Sequence, residues 1–158
     1  MYLIVNTSYN VIMMKKFLFT RVGYTYLPTT DIDASIKWYT KNLGLKLISK
    51  FEERGSFIAV LHYPHKNAIA LVLIETMDHK PLEIIRNGSR FPVMAMNCLD
   101  IEYTYKCLKD SGVEVEDIHT LGEEEAKYFY FVDNQGNLLE AAWSKWDQAD
   151  DMKDSFLQ

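Results

Sequence analysis

One carboxylate stands in an apolar run near the end of this chain: Glu140, within Leu138-Leu139-Glu140-Ala141-Ala142-Trp143, just after the turn-forming Asp133-Asn134-Gln135-Gly136-Asn137. An unpaired charge on a buried strand is costly, so such a Glu ligates a metal, handles a proton or holds a hydroxyl by a hydrogen bond. His62 and His65 flank Pro64 at a turn. A turn histidine is more often solvated, but His62 facing inward would give Glu140 an acid–base partner that titrates near neutrality. Tyr24, Tyr26, Tyr128, Phe129, Tyr130 and Phe131 offer rings for a flat ligand, although alternation along a strand sends half of them into the core. Parity groups Tyr24 with Tyr26, Tyr128 with Tyr130, and Leu138 with Glu140 and Ala142. His79 and His119 fall in expected loops with no evident partner.

The elements that must carry these side chains repeat. "DIDASIKWY" from Asp31 and "DIEYTYKCL" from Asp100 share the form Asp-Ile-acid-x-hydroxyl-x-Lys, and each is followed by a glycine and an alternating run, "LGLKL" and "SGVEV". Two matched features in register argue for a duplicated unit. Asp31 or Thr30 caps the first helix, Asp33 sits at the positive end of its dipole, and Ile32, Ile36, Tyr39 and Leu43 fall at helical spacing up to Gly44. In the second helix Asp100 caps, Glu102 lies in the first turn, Ile101, Tyr105 and Leu108 share a face, and Gly112 terminates. Strands are expected at 19–27, 45–50, 56–63 and 69–75, then at 93–98, 113–117, 128–132 and 138–143. Turns are expected at 64–67 and 133–137, with 77–90 as connector. The order is strand, helix and three strands, twice. Runs such as "YFYFV" and "IALVLI" are apolar on both faces, so helices cover one side while the other lines a cavity between the units or meets another subunit.

The bulk properties narrow the partners. The 158 residues, 48% apolar and 13% aromatic, suffice for one compact domain or two halves sharing a core. A net charge of -5, with scattered lysines, gives no footprint for nucleic acid. Cys98 and Cys107 supply neither a disulfide framework nor a thiolate site, which points to a reducing cytoplasm. The apolar start lacks the basic region and cleavage site of a signal peptide, and no run reaches membrane-spanning length. Met13 and Met14 precede Lys15 and Lys16, so residues 1–13 read either as an extension from an upstream start or as an extra strand. The run "EEEAK" from Glu123 reads as a solvated loop, and the acidic tail as a frayed end anchored by Trp143 and Trp146.

With "DIDASIKWYTKNLGL" and the closing "FVDNQGNLLE", the chain resembles the vicinal oxygen chelate superfamily, which includes glyoxalase I, extradiol dioxygenases and the fosfomycin and bleomycin resistance proteins. The resemblance spans about Thr20 to Trp143 and implies an α+β fold, two tandem βαβββ modules forming curved mixed sheets around a cavity. The organisation expected is an N-terminal extension (1–18), a first module (19–76), a connector (77–90), a second module (91–143) and an acidic tail (144–158). Metal-dependent relatives draw one ligand from the first strand and one from the last strand of each module. Those places carry over to Tyr24 and Val93, and to Val72 and Glu140. Two valines donate nothing, and a phenol with a pKa of about 10 is a poor ligand at neutrality, so no metal or other cofactor is expected.

Function must be argued from the site rather than the fold. The first reading is a metal-free, cytoplasmic protein that binds a small aromatic or amphipathic molecule, with Tyr24, Tyr26, His62, Val72, Val93, Tyr130 and Glu140 around the ligand. The resemblance implies a homodimer; nucleic acid and membrane are not expected as partners. The alternative is a lyase, isomerase or dioxygenase-type enzyme using Glu140 with His62 or a rearranged metal site. A third reading is a dimeric partner-binding module with a vestigial cavity.

Overall fold

A computed structural model describes residues 18–19, 21–65, 68–78 and 80–147. The expectations for residues 1–13, for the acidic tail beyond residue 147 and for His79 therefore lie outside the described residues. The elements run β1 (Tyr24–Thr29), α1 (Ile32–Leu43), β2 (Lys46–Glu53), β3 (Ser56–His62), β4 (Ala70–Glu75), β5 (Ile84–Arg86), β6 (Ser89–Phe91), β7 (Met94–Asn97), α2 (Ile101–Asp110), β8 (His119–Leu121), β9 (Ala126–Val132) and β10 (Leu138–Ser144). They form two four-stranded sheets of identical plan, β1-β4-β3-β2 and β7-β10-β9-β8, with β5 and β6 as a separate hairpin. In each sheet the first strand runs parallel to the last, and the other pairs are antiparallel.

Each helix starts as its sequence dictates. The Asp31 carboxylate accepts from Ala34 N–H at 2.9 Å, and Asp100 accepts from Tyr103 N–H at 2.8 Å; a cap of this kind contributes about 1 kcal/mol. Gly44 ends α1 in the left-handed conformation (φ 71°), which a residue with a Cβ rarely adopts. The acid of each first turn takes a lysine from the sheet, Lys50 to Asp33 at 2.7 Å and Lys127 to Glu102 at 2.8 Å. The acids occupy equivalent places, but the lysines come from non-equivalent strands, Lys50 from β2 and Lys127 from β9, the counterpart of β3.

The helix-facing residues of both sheets merge into one core. Leu27, Tyr39, Leu61 and Leu73 of the first unit pack in the same cluster as Ile101, Phe129, Phe131 and Leu139 of the second. A polar clasp ties the units beside it. The buried Asp133 carboxylate accepts from Tyr39 Oη at 2.5 Å, Asn137 Nδ2 at 2.7 Å, and the backbone N–H groups of Gln135 and Asn137 at 2.8 Å. Asn134 Nδ2 donates to Ser35 Oγ, and Thr30 N–H to Gln135 Oε1. The two stretches that carry the family resemblance are therefore in direct contact.

Four segments differ from their sequence-based expectation. β1 begins at Tyr24 rather than residue 19, because its partner β4 starts at Ala70, opposite Tyr24, while Leu18 and Phe19 are exposed. It also runs through Pro28 to Thr29, which an edge strand tolerates because proline lacks only an outward donor. Residues 113–117 make one isolated bridge, Val115 to Phe131, and the last ladder forms instead at β8, so His119 lies on a strand. The connector carries the hairpin β5–β6, turning through Asn87 (φ 51°) and Gly88 (φ 81°). Trp143 packs against the core as expected of an anchor, whereas Trp146 is exposed.

Candidate functional site

Strand register decides which side chains share the face away from the helices. In the first sheet Tyr24 lies opposite Ala70, and Tyr26 opposite Val72, which in turn faces Val60. Because Leu27, Leu71, Leu73, Ala59 and Leu61 enter the core, their alternate neighbours Tyr24, Tyr26, Val72, Val60 and His62 point the other way. Tyr24 and Tyr26 are 58% and 56% exposed, unusually open for large rings. Val72 is shielded between its neighbours, at 5%.

In the second sheet Glu140 lies between Tyr130 on β9 and Ala95 on β7. This matches the Val60–Val72–Tyr26 row, since Tyr26 and Ala95 each precede their capping aspartate by five residues; Val72 and Glu140 are structural twins. Glu140 is half-buried, and burial raises its carboxyl above the ordinary range. It makes no hydrogen bond or ion pair among the described residues, with Tyr24 or any other side chain.

The other expected site residues fall as follows. Tyr130 stands directly across from Glu140. Val93 donates its N–H to the Leu138 carbonyl at 3.0 Å, and its side chain packs against the core. His62 ends β3 with Nδ1 against the Tyr63 carbonyl, and no described contact joins it to Glu140. Tyr26 and Val72 are thus neighbours on one sheet and Tyr130 and Glu140 on the other, while His62 belongs to the first sheet. Among the described residues no three of His, Cys, Asp or Glu gather as a metal site.

Sequence reasoning left out part of the surroundings of Glu140. His119 stacks on Tyr128 with centroids 5.2 Å apart, Tyr128 lies 5.4 Å from Tyr130, and Phe91 of the hairpin meets Tyr130 edge-on at 6.4 Å. The Asn87-Gly88 pair, a strong two-residue hairpin signal, was the cue that would have placed Phe91. On the helix side a separate cleft of about 590 Å³ opens between the units, lined by Leu43, Leu71, Met94, Met96, Leu108 and Phe131 among others. None of the seven expected site residues lines it.

With this geometry in place, comparisons assign the lineage. Residues 21–141 match the family model described as Glyoxalase/Bleomycin resistance protein/Dioxygenase superfamily. A glyoxalase family protein from Enterococcus faecalis superposes with a TM-score of 0.64 at 17% identity, covering 80% of this chain and 100% of that one. TnmS3, an antibiotic binding protein from Streptomyces sp. CB03234, gives 0.64 at 16% identity (82% and 99% covered). The fosfomycin resistance protein FosX from Listeria monocytogenes gives 0.64 at 14% identity (82% and 98%). At these identities the likeness is one of fold. No curated protein matches the chain in sequence. No described helix is long and apolar enough to cross a membrane.

Proposed function

The chain belongs to the Glyoxalase/Bleomycin resistance protein/Dioxygenase superfamily, and from that premise we propose that it binds a small aromatic or amphipathic molecule without a metal, on the open sheet faces that carry Tyr24, Tyr26, Tyr130 and Glu140. The carrying observation is the setting of Glu140, a half-buried carboxylate with no described partner, directly across from a tyrosine. The donor set does not fit a divalent cation, which needs about three protein donors. At the places the family uses, Val72 and Val93 have no donor atom and Tyr24 is a phenol. Two solved relatives by fold, the antibiotic binding protein and the fosfomycin resistance protein, are in keeping with a small-molecule role.

A homodimer completes this reading. β1 and β7 are each hydrogen-bonded on one side only, and the exposed rings of Tyr24 and Tyr26 gain cover from a second copy. The two free cysteines accord with a reducing cytoplasm.

The test is a thermal-shift screen of aromatic and amphipathic compounds, antibiotics included, beside elemental analysis of protein purified without chelator. Stabilisation that grows with ligand concentration is the expected result. A full equivalent of zinc, nickel, iron or manganese overturns the metal-free assignment, and a screen with no stabilising compound overturns binding. A second reading, an enzyme in which Glu140 handles a proton, is favoured by its raised carboxyl pKa. It requires turnover that Glu140→Gln abolishes.

A further inference from the structure

The hairpin β5–β6 brings to the Glu140 face a cation that the expected site lacked. Arg86 lies with its guanidinium carbon 5.4 Å from the Phe91 ring centroid. Phe91 continues the row Tyr130, Tyr128, His119, so four rings follow one another at spacings within aromatic contact range. The hairpin is fixed to the strand pair bearing Glu140. Arg90 donates from Nη2 to the Gly136 carbonyl at 2.7 Å while pairing with Glu83, and Leu82 N–H donates to Asn137 Oδ1 at 2.8 Å. Arg86 itself forms no ion pair with any described carboxylate, whereas Arg54 pairs with Glu53 and Arg90 with Glu83.

Both charges bear on Tyr130. Burial first, then the charges of Tyr128 and Glu140, push its phenol above the ordinary value, and Arg86 opposes them. The ring row is therefore flanked by an acceptor and by a planar cation whose fork matches a carboxylate.

Resting on the small-molecule reading above, we propose that Arg86, held over Phe91, recognises an acidic group on a planar aromatic ligand lying against Tyr130 and Tyr128 with its edge toward Phe91, and that Glu140 accepts a hydroxyl or N–H from the ligand's far side. The ligand class is an aromatic carboxylate bearing a donor, a selection against cationic and neutral aromatics that the protein's overall charge of -5 would not produce.

Isothermal titration of the full chain with 2-naphthoate and with its neutral isostere 2-naphthamide tests this. Naphthoate binds about tenfold more tightly, the size of one charge-assisted hydrogen bond. Arg86→Gln lowers naphthoate to the level of the amide and leaves the amide unchanged, while Arg54→Gln, at a remote exposed arginine, alters neither. Equal affinity of the two probes in the wild type, an unchanged preference in Arg86→Gln, an equal loss in Arg54→Gln, or no binding of either probe overturns the proposal. The small-molecule reading falls separately, only if the thermal-shift screen yields no stabilising compound at all.

Discussion

The two units share strand order, helix N-caps and an acid in each first helical turn that pairs with a lysine of the sheet, yet their open faces diverge. The first presents Val60, Val72 and Tyr26 in a row; the second presents Tyr130, Glu140 and Ala95 at the same places. Duplication preserves what the core needs, because Leu61, Leu73, Phe129 and Leu139 all enter one packed cluster in which a change of volume is felt at once. The open faces carry no such constraint and are free to specialise. The asymmetry of the chain is therefore an asymmetry of chemistry laid on a symmetric frame.

The most damaging way to break the comparison is to open the clasp between the units. Asp133→Ala removes the acceptor of four hydrogen bonds and strands the Tyr39 hydroxyl and the Asn137 amide in the core. A loss of about 3 kcal/mol or more is expected, read as a lower midpoint in urea unfolding; a loss under about 1 kcal/mol, the level of an ordinary surface change, would mean that the clasp adds little to the shared core. Val72→Glu makes the first unit imitate the second. With Val72 only 5% exposed among apolar neighbours, the new carboxylate costs about 2 kcal/mol, and its pKa, followed by NMR, rises above the ordinary range. A neutral outcome would show that the first face is as tolerant of charge as the second.

The smallest change is Glu140→Gln. A carboxyl whose folded pKa is raised binds its proton more tightly in the folded state, so ionisation of Glu140 destabilises the fold as pH rises through the folded value. The glutamine variant is accordingly slightly more stable than wild type at neutral pH, by less than about 1 kcal/mol. The difference vanishes in acid, below the unfolded carboxyl pKa. Melting curves at several pH values check the sign, and a variant less stable at neutrality would mean that Glu140 has a favourable partner in solution.

Much of the frame was legible because it rests on local chemistry. Asp31 and Asp100 announce their helices by capping them, Gly44 by a conformation few other residues adopt, and the repeat by exact recurrence of acid and lysine. What escaped depended on partners distant in sequence. Residues 113–117 alternate like a strand, yet only Val115 bridges to β9, and the ladder forms two residues further on. The start of β1 was set by where β4 begins. The site divides in the same way. Parity grouped Glu140 with its face and Tyr24 with Tyr26, but Arg86 lay in what read as a connector and Phe91 at its border with the second module, and Asn87-Gly88 went unread as a hairpin turn. His62 and Glu140 fall on different sheets, and no local pattern encodes how two sheets are set against each other.

Pro28, near the end of β1, has one further effect. Ala70 donates to the Gly23 carbonyl and Thr76 to that of Thr29, so odd-numbered residues of β1 address β4 and even-numbered ones address the outside. The missing amide hydrogen of Pro28 therefore falls on the outer rim. A strand arriving there can pair with Tyr24 and Tyr26 and then meets no donor at Pro28, so the edge offers only a short stretch for attachment.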